Sequence, residues 1–187
     1  MLKKKQTMAR PRSRVGRGSA KARKKAARLA AVQALYQMEQ TCIAPEAVIN
    51  EFLKHRIGRD LERREIDGVT FVEPDADLFT AIVRLAGQRL SEIDLLISNA
   101  LTHRTPLERL ELLLRAILRA GVAELLAHRD VHARILLSEY IDIAHAFFSG
   151  REPNMVNGVL DRIARSLRPI EANNPLHSSD ETAKPSE

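Results

Sequence analysis

An all-helical fold is what this sequence predicts, and three observations predict it. Aromatic residues make up only 4% of the chain and Trp is absent, while Leu, Ala, Ile, Arg and Glu dominate, a balance that favours helices over a β-sandwich or barrel. Apolar residues recur at separations of three and four over most of the length, the period of a helix with one buried face. Thr105-Pro106-Leu107-Glu108 reads as a capping box with Pro at the first helical position, a helix-start signature. With 44% hydrophobic residues in 187, there is enough apolar side chain for one domain with tails.

The elements follow in order. Residues 1–20 place Lys3-Lys4-Lys5, Arg10, Arg12, Arg14 and Arg17 among Pro, Gly and Ser and are expected to form a disordered basic tail. From Lys21 a helix is expected, with Leu29, Val32, Leu35 and Tyr36 turning into the core at its C-terminal half. A short helix should begin at Pro45, bury Val48, Ile49, Phe52 and Leu53, and end near His55. Residues 56–74 combine alternating charges with Gly58 and Gly68 and read as a solvated insertion. Pro74 and Asp75 open a long helical stretch from Leu78 through Phe79, Ile82, Leu85, Leu90, Ile93 and Ile97 to Leu101, kinked at Gly87. The capping box should start the next helix. Its segment from Leu110 to Leu126 is apolar on more than one face and should be the central buried helix, Gly121 permitting a close helix contact. Two more helices are expected, one from about His132 to Ser149 and one between Pro153 and Pro169. The helical domain thus spans 21–170, and 171–187 should be a disordered acidic tail.

Several function classes are disfavoured. Six histidines raise the possibility of a metal, but Asp130 and Val131 look like a helix boundary between His128 and His132, so the pair would not share a face. Cys42 is the one cysteine and has no base partner in sequence, and no G-x-S-x-G, P-loop or dinucleotide-binding pattern occurs. Carboxylate pairs such as Glu108 with Glu111, or Glu139 with Asp142, have the ordinary spacing of solvated helix faces. No catalytic residue, metal or cofactor is therefore expected. A single cysteine and the absence of a secretory signal fit the cytoplasm, and no apolar run approaches a membrane span.

Charge carries the functional signal. Of the 30 Lys and Arg, twelve lie in residues 1–28, which hold no Asp or Glu, leaving 18 basic against 24 acidic residues in the remainder. A pI near 9.8 thus describes a basic arm on a mildly acidic body, and a polyanion should meet the arm. The arm lacks the apolar face that interfacial helices bury in lipid, which favours nucleic acid over a membrane. Lys21, Lys24, Lys25 and Arg28 stand three, four and seven apart, so a helix would present them as one stripe roughly 10 Å long. Charge alone carries no sequence information, so specificity needs bases stacked on side chains, and the Tyr36 ring is the candidate platform.

Two segments then stand out together: Arg28-Leu29-Ala30-Ala31-Val32-Gln33-Ala34-Leu35-Tyr36-Gln37 and Met155-Val156-Asn157-Gly158-Val159-Leu160-Asp161. With Arg115-Ala116-Ile117-Leu118-Arg119-Ala120-Gly121, Glu124-Leu125-Leu126 and Ser138-Glu139-Tyr140-Ile141 between them, roughly residues 23–168 resemble the NusB family of bacterial antitermination factors. The resemblance implies two packed helical bundles of about seven helices. It also implies a NusE-type small-subunit ribosomal protein as partner, boxA-type single-stranded RNA as ligand, and read-through within the RNA polymerase antitermination complex. Carried onto this sequence, the RNA contacts are Arg23, Lys24, Lys25, Arg28, Tyr36, Met155 and Asn157, and the expected partner contacts are Arg115, Arg119 and Glu124. Departures are Met155 where Phe is frequent, Ser138 where Asn is usual, and His132 where Pro is common. Two other readings stay open: a general ribosomal RNA-binding or ribosome-assembly factor, and a protein-binding helical adaptor whose arm confers solubility.

Overall fold

The computed structural model describes residues 18–57, 72–102 and 105–169. Residues 1–17 of the expected basic tail, the acidic tail and residues 58–71 of the charged insertion lie outside these residues, while Ser19 and Ala20, expected in the tail, cap and open the first helix. Among the described residues there are seven α-helices and no strand: α1 Ala20–Thr41, α2 Pro45–His55, α3 Ala76–Gln88, α4 Leu90–Ala100, α5 Leu112–Ala127, α6 Ala133–Phe147 and α7 Glu152–Leu167.

The helices form two bundles that share α5. In the first, α1, α2 and α3 pack on one another, and α1 and α3 lie on α5; in the second, α4, α6 and α7 each pack on α5, with α7 touching both of the others. Ten of the sixteen residues of α5 are buried, as expected of a helix apolar on more than one face and covered by neighbours on both sides. Phe52 of α2 stacks on Phe79 of α3 with ring centroids 5.4 Å apart, which fixes α2 to the first bundle.

Local chemistry explains most helix ends. Ser19 caps α1, its Oγ accepting from the Ala22 amide at 3.2 Å, and Asp75 caps α3 by accepting from the Leu78 amide at 3.1 Å. Pro45 sits in the first turn of α2, where its missing N–H costs nothing. Cys42 ends α1 in the left-handed region with φ 54°, a C-cap conformation more often taken by Gly or Asn.

Three boundaries differ from the sequence-based expectation. The capping box does not start α5: Leu107–Arg109 make one 3₁₀ turn, Leu110 is extended, and α5 begins at Leu112. Leu107 and Leu110 are both buried, and residues three apart eclipse each other in a 3₁₀ turn, so one tight turn drives both into the core before the chain redirects. The stretch from 76 to 100 is two helices, broken at Arg89 (φ −117°, ψ 28°). Gly87 serves a contact there, since a Cβ at that position would lie 2.2 Å from Pro45 Cγ. Finally, α7 starts at Glu152 and takes Pro153 into its first turn.

Gly121 makes the close contact expected of it. A Cβ there would stand 2.9 Å from Leu160 Cδ1 and 3.4 Å from Tyr140 Cγ, so α5 meets α6 and α7 at van der Waals distance. Gly121→Val should overpack this crossing and lower unfolding free energy by about 1–3 kcal/mol, readable as a reduced urea midpoint. A midpoint at or above that of the parent would mean that Leu160 and Tyr140 can move aside at no cost.

Candidate nucleic-acid interface

Cations at a helix start oppose the macrodipole, whose positive end is the N-terminus. α1 nevertheless opens with Lys21, Arg23, Lys24 and Lys25 and has no acidic residue in its first turn, a choice that costs helix stability and offers positive potential to an anion. Lys21, Lys24 and Lys25 are exposed. Arg23 is half-buried, its Nε donating to the Glu73 carbonyl at 3.4 Å, while its own carbonyl accepts from the Asp75 amide at 3.1 Å. The first turns of α1 are thereby tied to the chain entering α3. Lys25 Nζ pairs with Asp142 Oδ2 of α6 at 3.1 Å.

Arg28 does not belong to the stripe. Its guanidinium is buried and donates two bonds to the Glu124 carboxylate, from Nη2 to Oε1 at 2.7 Å and from Nε to Oε2 at 2.9 Å. Nη1 also reaches Glu139 Oε2 at 3.3 Å, and the Tyr140 hydroxyl donates to Glu124 Oε2 at 2.8 Å. The side chains of Arg28 and Glu124 are 6% and 1% exposed, so neither is available to RNA or to a partner protein: one cluster joins α1, α5 and α6 inside the molecule. Burial pulls the Arg28 pKa down, but hydrogen bonding and charge from Glu124, with the charges around Tyr140 and Glu139, more than offset it and keep the guanidinium firmly protonated. Burial, reinforced by the charge of Glu124, pushes the Tyr140 phenol well above its ordinary range, holding it as a hydrogen-bond donor.

The structure also engages the other two expected partner contacts internally. Arg115 Nη2 and Arg119 Nη1 share Glu39 of α1, at 2.6 and 2.7 Å, and Arg119 makes a second, two-point pairing with Asp94 of α4 at 2.7 and 2.9 Å. Arg115 Nη1 donates to the Glu108 carbonyl at 2.9 Å. These arginines, at 15% and 11% side-chain exposure, hold α1, α4 and α5 together. Glu39 and Asp94 were not singled out in the sequence.

Tyr36 is half-buried, packed against the core, with its hydroxyl accepting from Gln40 Nε2 at 3.0 Å. It stands roughly 16 Å along α1 from Lys25, at 1.5 Å per residue. Met155 and Asn157 are carried by α7, Met155 half-buried against the core and Asn157 exposed. Next to them Gly158 is exposed, with nothing within 4 Å of an added Cβ. Between His128 and His132 the chain leaves α5 and enters α6, so the two do not share a helix face, and His132 Nδ1 accepts from the Arg134 amide at 3.3 Å. Among the described residues no group of three His, Cys, Asp or Glu is placed to hold a metal ion, and no helix is long and apolar enough to cross a membrane.

The model of the NusB family matches residues 25–165, from the lysine end of α1 to the last turn of α7. The chain belongs to the NusB family. Among its NusB relatives, the transcription antitermination protein NusB of Maricaulis maris is 46% identical over 148 residues, covering 79% of this chain and 89% of that protein. The same-named protein of Rhizobium rhizogenes is 46% identical over 143 residues, with 76% and 86% covered. In three dimensions the chain is similar to T. maritima NusB, with a TM-score of 0.62 at 29% identity, covering 76% of this chain and 90% of that one. It is also similar in fold to a NusB chain from a crystal structure of antitermination factors NusB and NusE in complex with dsRNA, with a TM-score of 0.61 at 23% identity, over 79% of this chain and 99% of that one. Lys21, Arg23 and Lys24 precede the range matched by the NusB family model, and Arg168 follows it.

Proposed function

We propose that this protein is a cytoplasmic, RNA-binding transcription antitermination factor. With a NusE-type small-subunit ribosomal protein it binds boxA-type single-stranded RNA and promotes read-through within the RNA polymerase antitermination complex. The observation that carries this reading is 46% identity, over most of both chains, to proteins named transcription antitermination protein NusB. The start of α1 supports it: three exposed lysines and Arg23 stand where they weaken the helix and serve a polyanion. In this reading Lys24, Lys25 and Arg23 engage phosphates, Tyr36 and Met155 offer apolar faces to bases, and Asn157 supplies hydrogen bonds. Arg28 and Glu124 take no direct part, and Arg115 and Arg119 shape the partner surface by fixing α4 and α5 rather than by reaching out of it.

A titration of labelled boxA-like and scrambled RNA, at two salt concentrations and with or without the NusE-type protein, tests the proposal. Preferential binding to boxA-like RNA that tightens with the partner is the expected result. If about six charges neutralise phosphates, log affinity should fall against log salt with a slope of roughly −4, at about 0.7 per single-strand phosphate. Equal, partner-independent binding to both RNAs would favour a general ribosomal RNA-binding or assembly factor instead. Salt-independent association with protein and none with RNA would favour the helical adaptor. Removing residues 1–28 is not a usable control, because Ala27 and Arg28 belong to the core; the cut that spares the body ends before the Ser19 cap.

A further inference from the structure

α1 and α6 cross with a two-rung charge ladder. Lys25 and Arg28, three apart on α1, face Asp142 and Glu139, three apart on α6 and in reverse order. The inner rung, Arg28 with Glu139, is buried with Glu124, so it fixes the register of the two helices. The outer rung is therefore placed by the backbone rather than by chance encounter of long side chains. It lies at the surface, where the Lys25 and Asp142 side chains are 52% and 57% exposed. Two other carboxylates near this helix start are engaged elsewhere: Glu139 on Arg28, and Asp75 as the cap of α3.

We infer that Asp142 is an electrostatic brake on the lysine face, a carboxylate that occupies Lys25 and that an RNA phosphate must displace. This rests on the reading of the start of α1 as an RNA-binding element. An ion pair so exposed is weak, so a polyanion releasing counterions can break it. While formed, it removes one positive charge from a surface that binds phosphate without regard to sequence. Asp142 thus lowers affinity for every RNA by the same factor and leaves discrimination to base contacts.

Labelled boxA-like and scrambled RNA are titrated against the full chain, Asp142→Asn, Lys25→Met and the double variant. Asp142→Asn should bind both RNAs roughly two- to five-fold more tightly at low salt, the range set by the energy of exposed ion pairs. The gain should shrink at high salt, which screens the exposed pair. In the Lys25→Met background the same substitution should give no gain. Unchanged affinity, weakened binding of the boxA-like RNA alone, or a gain that persists without Lys25 would each overturn the brake. If the parent chain binds neither RNA, the reading of the α1 start fails and the brake with it. If the parent binds and Asp142→Asn is indistinguishable from it, only the brake fails.

Discussion

Arg28→Met should lower the unfolding free energy by about 3–5 kcal/mol, the cost of removing one partner from a buried ion pair. The guanidinium faces two carboxylates, Glu124 and Glu139, and the Glu124 side chain is only 1% exposed. Without Arg28 the Tyr140 hydroxyl is the remaining donor on Glu124, and one hydroxyl does not compensate a desolvated negative charge. The double variant Arg28→Met/Glu124→Gln should recover part of the loss, because it removes the more deeply buried of the two orphaned charges and leaves Glu139. A urea titration of the single and double variants measures both effects. A loss below about 1 kcal/mol for Arg28→Met, which is the scale of an exposed pair, would mean that the cluster is not dry and that α1 is held by its other contacts. The same variant separates architecture from recognition. Whatever RNA affinity it loses should return in the double variant, since Arg28 positions α1 and does not touch RNA.

Two patterns compete at Arg28. Its spacing to Lys21, Lys24 and Lys25 is that of one helix face, but so is its spacing to Val32 and Leu35, four and seven residues on, both of which are buried. Charge type argued one way and apolar periodicity the other. The deciding residue lay 96 positions away in Glu124, the one carboxylate of α5, set among apolar residues of its C-terminal half. A carboxylate flanked by buried apolar residues on its own helix requires a buried counter-charge, and that signal stands in the sequence around Glu124. The position of α2 and the role of α5 were legible because period and caps are local, whereas the count of seven came from the resemblance, since period alone runs α3 and α4 together. The break at Arg89 and the 3₁₀ turn at Leu107 were not legible, since each is set by what the neighbouring elements leave open. Gly87 yields to Pro45 of α2, and Leu107 and Leu110 reach the core together. Of the candidate site, the lysines could be read from composition, whereas Glu39, Asp94 and Asp142 could not. Their roles exist only once α1 has been laid against α4, α5 and α6.

Arg168→Met should cost about 2–4 kcal/mol, on the basis that hydrogen bonds to charged groups contribute about 1.5–3 kcal/mol each and that exposed carbonyls partly recover water. Arg168 follows the last residue of α7, yet its side chain turns back into the molecule. Nη2 donates to the carbonyls of Leu125 and His128 at 2.6 and 2.8 Å, and Nη1 to that of Val131 at 2.6 Å. Two of these acceptors belong to the end of α5, where helix carbonyls lack intrahelical partners and the dipole favours a cation; the third lies in the connection to α6. One planar fork therefore closes α5, the α5–α6 connection and the end of α7. Arg168→Lys should recover little, because an ammonium on a single stem cannot span three carbonyls held apart in this way. Urea unfolding gives the magnitude, and hydrogen exchange gives the location: faster exchange should concentrate in the last turn of α5 and the first of α6. Equal stability in Arg168→Met would show that water replaces the guanidinium without loss. A cut before Arg168 would then leave the domain intact, whereas the three bonds require the folded unit to extend past α7 to this residue.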